Sequence, residues 1–189
     1  MLSKVLSKNT CADCKFCCSF RRCSLWETPL FSKETMDKLE KLNEYNRKAD
    51  FDKKILTVAK NESGNAVNAA GEKEYEYGQM KLEYKYKTDD SEEEAACEFL
   101  DPNKGCVLSP EDKPFDCKIW PLRIMKKDDK VVIAFTPTCP ALGNVPSEDM
   151  KKLVNDGLGQ TIYEYAKEHP YIIKEYKEGF PILMERELV

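Results

Sequence analysis

The chain has one histidine among its 189 residues, and it has no G-x-G-x-x-G turn following a strand. The first shortage leaves little room for imidazole-based acid–base chemistry or a His-rich metal site. The second removes the usual cradle for a nucleoside cofactor. No run of about 18 apolar residues occurs, so no membrane-spanning helix is expected. Charge of one sign is not in excess either: 30 Lys plus Arg face 34 Asp plus Glu, a net charge of −4 with both signs mixed along the chain. That balance argues against nucleic acid as a partner. Internal repeats and low-complexity tracts are absent, and the N-terminal apolar stretch is too short for a signal peptide. A cytoplasmic protein without a membrane or nucleic-acid partner is therefore expected, with any protein partner unknown.

What the chain has in abundance is cysteine, nine residues in all. Four fall in one eight-residue window, Cys11-Ala-Asp-Cys14-Lys-Phe-Cys17-Cys18, the pattern CxxCxxCC. A C-x-x-C step sets two sulfurs on one side of a tight turn, within reach of an ion at about 2.3 Å from each. In a reducing compartment such density reads as metal ligation rather than as disulfides. Four more thiols, Cys97, Cys106, Cys117 and Cys139, are spread over the second half. Asp101-Pro-Asn-Lys-Gly105 is a turn sequence that folds Cys97 back towards Cys106. Leu122 and Ile124, then Val131, Ile133 and Phe135, flank Lys127-Asp-Asp-Lys130 as a hairpin whose open end lies beside Cys117 and Cys139.

Eight thiols suffice for two closed tetrathiolate sites or for one cluster with spares. Adjacent side chains diverge on regular backbone, so Cys17 and Cys18 are expected to serve different centres. Zinc and an iron–sulfur cluster both accept four thiolates. C-x-x-C-x-x-C with a distant Cys139-Pro140 is close to the bacterial ferredoxin spacing, apart from the Cys18 doublet and the position of Cys-Pro. Cys23 has no spacing partner; Arg21 and Arg22 beside it would favour its thiolate, and an idle cysteine is the simpler reading.

Elsewhere, Ser32 as N-cap, Glu34 in the first turn and Met36, Leu39 and Leu42 at helical spacing predict a helix over Lys33–Tyr45. Residues 60–74 read as a loop, and the alternation from Tyr75 to Tyr86 reads as strands with a hairpin near Gly78. The run Asp89 to Glu94 reads as a solvated turn. Residues 146–179 predict a helical C-terminal part: one helix from Ser147 to His169-Pro170 with its stripe from Met150 to Tyr165, then a short one ending at Gly179. His169 reads as a helix-end residue. The fold class expected is α+β, a small cysteine-rich, metal-centred single domain over 1–189, with short β-hairpins, peripheral helices and a variable insertion at 24–96.

The N-terminal CxxCxxCC, the stretch Cys97-Glu-Phe-Leu-Asp … Gly-Cys106-Val-Leu … Lys113-Pro-Phe-Asp-Cys117-Lys-Ile-Trp-Pro121, and Cys139-Pro140 together resemble the zinc- or iron-chelating domain proteins, the CxxCxxCC cysteine-cluster family. The motifs cover about a third of the chain. Lys113 stands where that family more often has Arg. The resemblance implies that Cys11, Cys14, Cys17, Cys18, Cys97, Cys106, Cys117 and Cys139 form the metal site and that Cys23 stays outside it. One branch of the family, the flagellin lysine N-methylases, joins similar cysteines to methyl transfer from S-adenosylmethionine. Three functions follow: a metal-binding protein holding zinc or an iron–sulfur centre, an iron–sulfur oxidoreductase or electron carrier with Phe115 and Trp120 screening the cluster, or a protein-modifying enzyme such as a methylase.

Overall fold

The computed structural model describes residues 14, 16–41, 51–54, 76–140, 145 and 147–187. In chain order its elements are β1 (Ser19–Arg21), β2 (Leu30–Ser32), α1 (Lys33–Lys41), β3 (Phe51–Lys54), β4 (Tyr77–Met80), β5 (Glu94–Ala96), β6 (Leu100–Asp101), β7 (Gly105–Cys106), α2 (Phe115–Ile119), β8 (Leu122–Lys127), β9 (Lys130–Phe135), α3 (Ser147–Leu153), α4 (Gly159–Glu168), β10 (Lys174–Glu175) and β11 (Ile182–Glu187). Helices and strands are both present, as the α+β reading expects. The chain forms two compact units. One comprises Met1–Ser19, Asp101–Cys106 and Phe115–Val189; the other comprises Phe20–Leu100 and Val107–Pro114. Among the described residues, no helix is long and apolar enough to cross a membrane.

The second unit is built on the three-stranded sheet β2-β4-β3. Ser32 caps α1 as its sequence predicts: its Oγ accepts the Thr35 N–H at 3.3 Å and fills one of the orphan donors of the first turn. Met36 and Leu39 are buried by that helix; Leu42 and the last expected turn, 42–45, lie outside the described residues. Phe31 is fully buried and meets Phe51 edge-on at 5.1 Å and Phe99 at 6.0 Å, an arrangement that suits the quadrupole of aromatic rings.

Gly78 makes no turn. It sits inside the central strand β4, opposite Phe31 on one side and Lys53 on the other, because two flanking strands satisfy its backbone and override a local turn signal. Beyond β4 the expected alternation also gives way, with a one-turn 3-10 helix at Glu83–Lys85. Tyr75 and the loop 60–74 lie outside the described residues. The acidic run is an organised turn: Glu93 accepts the N–H groups of Lys87 and Thr88 at 2.7 and 2.8 Å. These bonds hold its carboxyl below the ordinary carboxylate range.

The first unit is organised by the four-stranded sheet β10-β8-β9-β11. The β8–β9 hairpin forms as its pattern predicts, with Leu122 opposite Phe135, Lys127 opposite Lys130, and Asp128 taking the positive φ of 53° that the two-residue turn needs. The Asp101–Gly105 turn is likewise as read. Asp101 Oδ1 accepts the N–H groups of Asn103 and Lys104 at 2.8 and 3.0 Å, and Gly105 has φ +80°.

The C-terminal helical expectation holds only in part. Met150, Leu153, Val154, Leu158 and Ile162 are buried as one stripe, and the His169 N–H closes α4 onto the Tyr165 carbonyl at 2.9 Å. Between α3 and α4 the chain widens into a π turn, Val154–Leu158, where Gly157 adopts φ +116°. The second short helix does not form. After a single 3-10 turn at Pro170–Ile172 the chain becomes β10, parallel to β8 with Lys174 opposite Met125. The β-branched Ile173 turns the chain extended, and the open edge of β8 then takes up Lys174 and Glu175, with the Tyr176 N–H donating to the Lys126 carbonyl at 2.9 Å. On the other edge, β11 adds antiparallel to β9.

Gly159 marks where α4 rests on this sheet. A Cβ there would stand 2.8 Å from Met184 Sδ and 2.9 Å from the Val154 carbonyl oxygen. The thioether can move aside, but the carbonyl is main chain. Gly159→Ala is therefore expected to lose about 1 to 2 kcal/mol of stability through overpacking, despite the ~1 kcal/mol that Ala gains over Gly in a helix. Denaturant unfolding of the two proteins checks the sign.

Candidate functional site

All eight cysteines among the described residues, Cys14, Cys17, Cys18, Cys23, Cys97, Cys106, Cys117 and Cys139, are free thiols. Six candidate ligands belong to the first unit: Cys14, Cys17, Cys18, Cys106, Cys117 and Cys139. Cys97 belongs to the second, where its Sγ accepts the Phe99 N–H at 3.4 Å and its S–H donates to Met80 Sδ at 3.9 Å. Cys11 lies outside the described residues.

Local structure sets the environment of each thiol. Cys17 and Cys18 share the one-turn 3-10 helix Phe16–Cys18 and are half-buried. Their side chains do not diverge: the Cys17 thiol is hydrogen-bonded to that of Cys18. Both residues lie within a single 3-10 turn, and the contact forms inside it. The Cys18 contact, followed by burial, pushes the Cys17 thiol far above its ordinary range, while Arg123 pulls it down. Cys117 is exposed on α2, and Cys106 is half-buried on β7. Cys139 is buried, its N–H donating to the Thr136 carbonyl at 3.3 Å just beyond the open end of the β8–β9 hairpin. Among the described residues no three His, Cys, Asp or Glu side chains stand together in an arrangement that could enclose an ion. The donor chemistry fits a thiophilic metal, since reduced sulfur is what zinc and iron–sulfur centres take.

Within electrostatic reach of Cys17 lies a charge cluster that no motif announces. Asp116, the residue before Cys117, is 3% exposed; Arg123 Nη1 stands 3.7 Å from its Oδ1, and Lys174 Nζ stands 3.5 Å from its Oδ2. The Arg123 guanidinium also lies over the Trp120 ring at 4.5 Å, a cation–π contact. Two cations leaning on one carboxylate make this corner of the unit electropositive, which favours anionic thiolate nearby. Arg123 had a trace in the sequence, as a charge inside the apolar run Leu122 to Met125. Lys174 had none, because its place beside Asp116 depends on β10 joining the sheet.

Other singled-out residues have structural roles. Cys23 is exposed and its S–H donates to Glu92 Oε1 at 3.3 Å. The neighbouring Arg21 pairs with Glu92 at 2.8 Å, and Arg22 lies over the Tyr86 ring at 4.9 Å. Phe115 stacks on Tyr165 at 3.8 Å. His169 packs against Tyr165 and Tyr171, with ring centroids at 4.3 and 5.7 Å; the helix-end reading accounts for it.

Comparison with models of known families, with curated proteins and with solved structures finds no match for this chain. The family reading rests on the cysteine motifs alone.

Proposed function

We propose that this is a metal-binding protein that holds zinc or an iron–sulfur centre on thiolates drawn from Cys11, Cys14, Cys17, Cys18, Cys97, Cys106, Cys117 and Cys139. The observation that carries the reading is the hydrogen bond between the Cys17 and Cys18 thiols, within electrostatic reach of the buried Arg123. A thiolate centre is anionic, and a desolvated guanidinium offsets that charge far better than water-screened lysines would. A bound centre would supply either rigid cross-linking of the unit or, if iron–sulfur, an electron-accepting group. This chain's residues orient the sulfurs through the Cys17–Cys18 turn, α2 and the end of the β8–β9 hairpin. A cytosolic location belongs to the same proposal, because the thiols must stay reduced.

Because ligation takes thiolate, the proton held on Cys17 must leave when metal binds, so uptake weakens as pH falls. The metal-free fold behaves in the opposite sense. A thiol proton held more tightly folded than unfolded stabilises the fold below the free thiol's value of 9.0 and loses that contribution as pH rises above it. Metal titrations at pH 6 and 8 are expected to show weaker uptake at pH 6; equal uptake would argue against thiolate ligation.

The deciding experiment is elemental analysis with visible absorption, on protein purified anaerobically without affinity-column metal. Stoichiometric zinc in a colourless sample selects zinc, and iron with sulfide and a brown chromophore selects the cluster. Protein holding neither ends the proposal. Cys23→Ser is expected to leave metal content and melting unchanged; loss of metal there would show that the choice of eight ligands is wrong.

A further inference from the structure

At one end of the four-stranded sheet the strand register lines up Glu175 of β10, Lys126 of β8, Val131 of β9 and Arg186 of β11 as successive cross-strand neighbours. Paired residues in a sheet share a face, and α4 lies over this one. Together they enclose a cleft of about 740 Å³, within the range of small-molecule sites. Its floor is apolar: Val131 and Ala166 are buried, Ile173 lines one side, and the buried Tyr163 anchors its hydroxyl on the Val131 carbonyl at 3.0 Å.

The rim is charged and lopsided. Lys126, Lys167 and Arg186 come from three different elements, with Arg186 lying over the Tyr163 ring at 4.5 Å. Glu175 shares the face of Lys126. Glu187 also borders the cleft, but it pairs in register with Lys130, one position off the Val131 row, so strand alternation sends its side chain to the opposite face. Lys130 feels its charge there. Three cations therefore face one carboxylate over an apolar floor. Arg123, Met125 and Val132 likewise alternate to the opposite face from Lys126 and Val131, so the cleft is separate from the cysteine and Asp116 corner.

We propose that this cleft binds an amphipathic organic anion, with its apolar body on Val131, Ala166, Ile173 and Tyr163 and its acidic head between Lys126, Lys167 and Arg186. An apolar cation is disfavoured by the same three charges, and a small inorganic anion would leave the floor uncovered. The inference does not depend on the metal reading.

The test uses the full chain and the fluorescent anion 8-anilinonaphthalene-1-sulfonate. Saturable emission is expected, displaced by decanoate and not by decyltrimethylammonium at the same concentration. The double variant Lys126→Glu/Lys167→Glu is expected to bind the probe at least tenfold more weakly with an unchanged far-UV circular dichroism spectrum. Lys152→Glu, an exposed charge reversal on α3, is expected to bind within twofold of the natural chain. Should the double variant lose its fold, the decanoate against decyltrimethylammonium competition on the unaltered chain still decides. Equal displacement by the two amphiphiles, no displacement by decanoate, or a folded double variant with unchanged affinity would each overturn the proposal.

Discussion

Cys117→Ser protein is expected to lose metal from the centre that residue serves, and with it the folding free energy that ligation contributes. Structural zinc sites in small peptides are worth roughly 10 to 16 kcal/mol at neutral pH. Removing one of four thiolates forfeits a large share of that, because a serine hydroxyl at pH 7 is neither anionic nor soft. Cys117 is exposed on α2, so the exchange of sulfur for oxygen leaves no cavity. Metal per chain measured beside the Cys23→Ser protein is the decisive comparison. If Cys117→Ser retains its full metal content and its melting temperature, Cys117 is not a ligand.

The second large effect is expected at Asp116. Its carboxylate is buried with Arg123 at 3.7 Å and Lys174 at 3.5 Å. Burying such charges costs several kcal/mol per ion, which mutual attraction offsets only while both signs are present. Asp116→Ala removes the anion and leaves the buried Arg123 and the half-buried Lys174 without it. A loss of about 3 to 5 kcal/mol is expected, read as a fall in melting temperature on the order of 10 °C for a chain of this size. The double replacement Asp116→Ala with Lys174→Met is expected to recover part of the loss, since it withdraws one of the two cations. If Asp116→Ala alone melts within 2 °C of the natural chain, the cluster is not the electrostatic support described. The same variant checks the link to the thiols: with more uncompensated positive charge beside Cys17, alkylation of that thiol is expected to run faster at a given pH.

Local chemistry made several features legible from residues alone. Ser32, with Glu34 in the first turn, marks the start of α1 because an N-cap is satisfied within four residues. Asp101 to Gly105 and Asp128-Asp129 reverse the chain because turn geometry depends on the residues in the turn. The buried stripe from Met150 to Ile162 follows from helical period, and the end of α4 at His169 from the proline after it.

The misread elements share one cause. Gly78 carries a turn signal but lies in a central strand, and the segment after Pro170 carries an apolar period yet joins a sheet edge. In each case hydrogen bonds from a strand distant in sequence outweighed a local preference worth about 1 kcal/mol or less. The sequence by itself determined where the sulfurs are, how many there are and which residues reverse the chain between them, since these depend on neighbours a few positions away. Only the tertiary structure decided that Asp116 draws in Arg123 and Lys174, and that four strand ends and a helix enclose a cationic cleft. Such contacts arise when β8 gains β10 on one edge and β9 gains β11 on the other, an outcome of long-range pairing that no short window of residues encodes.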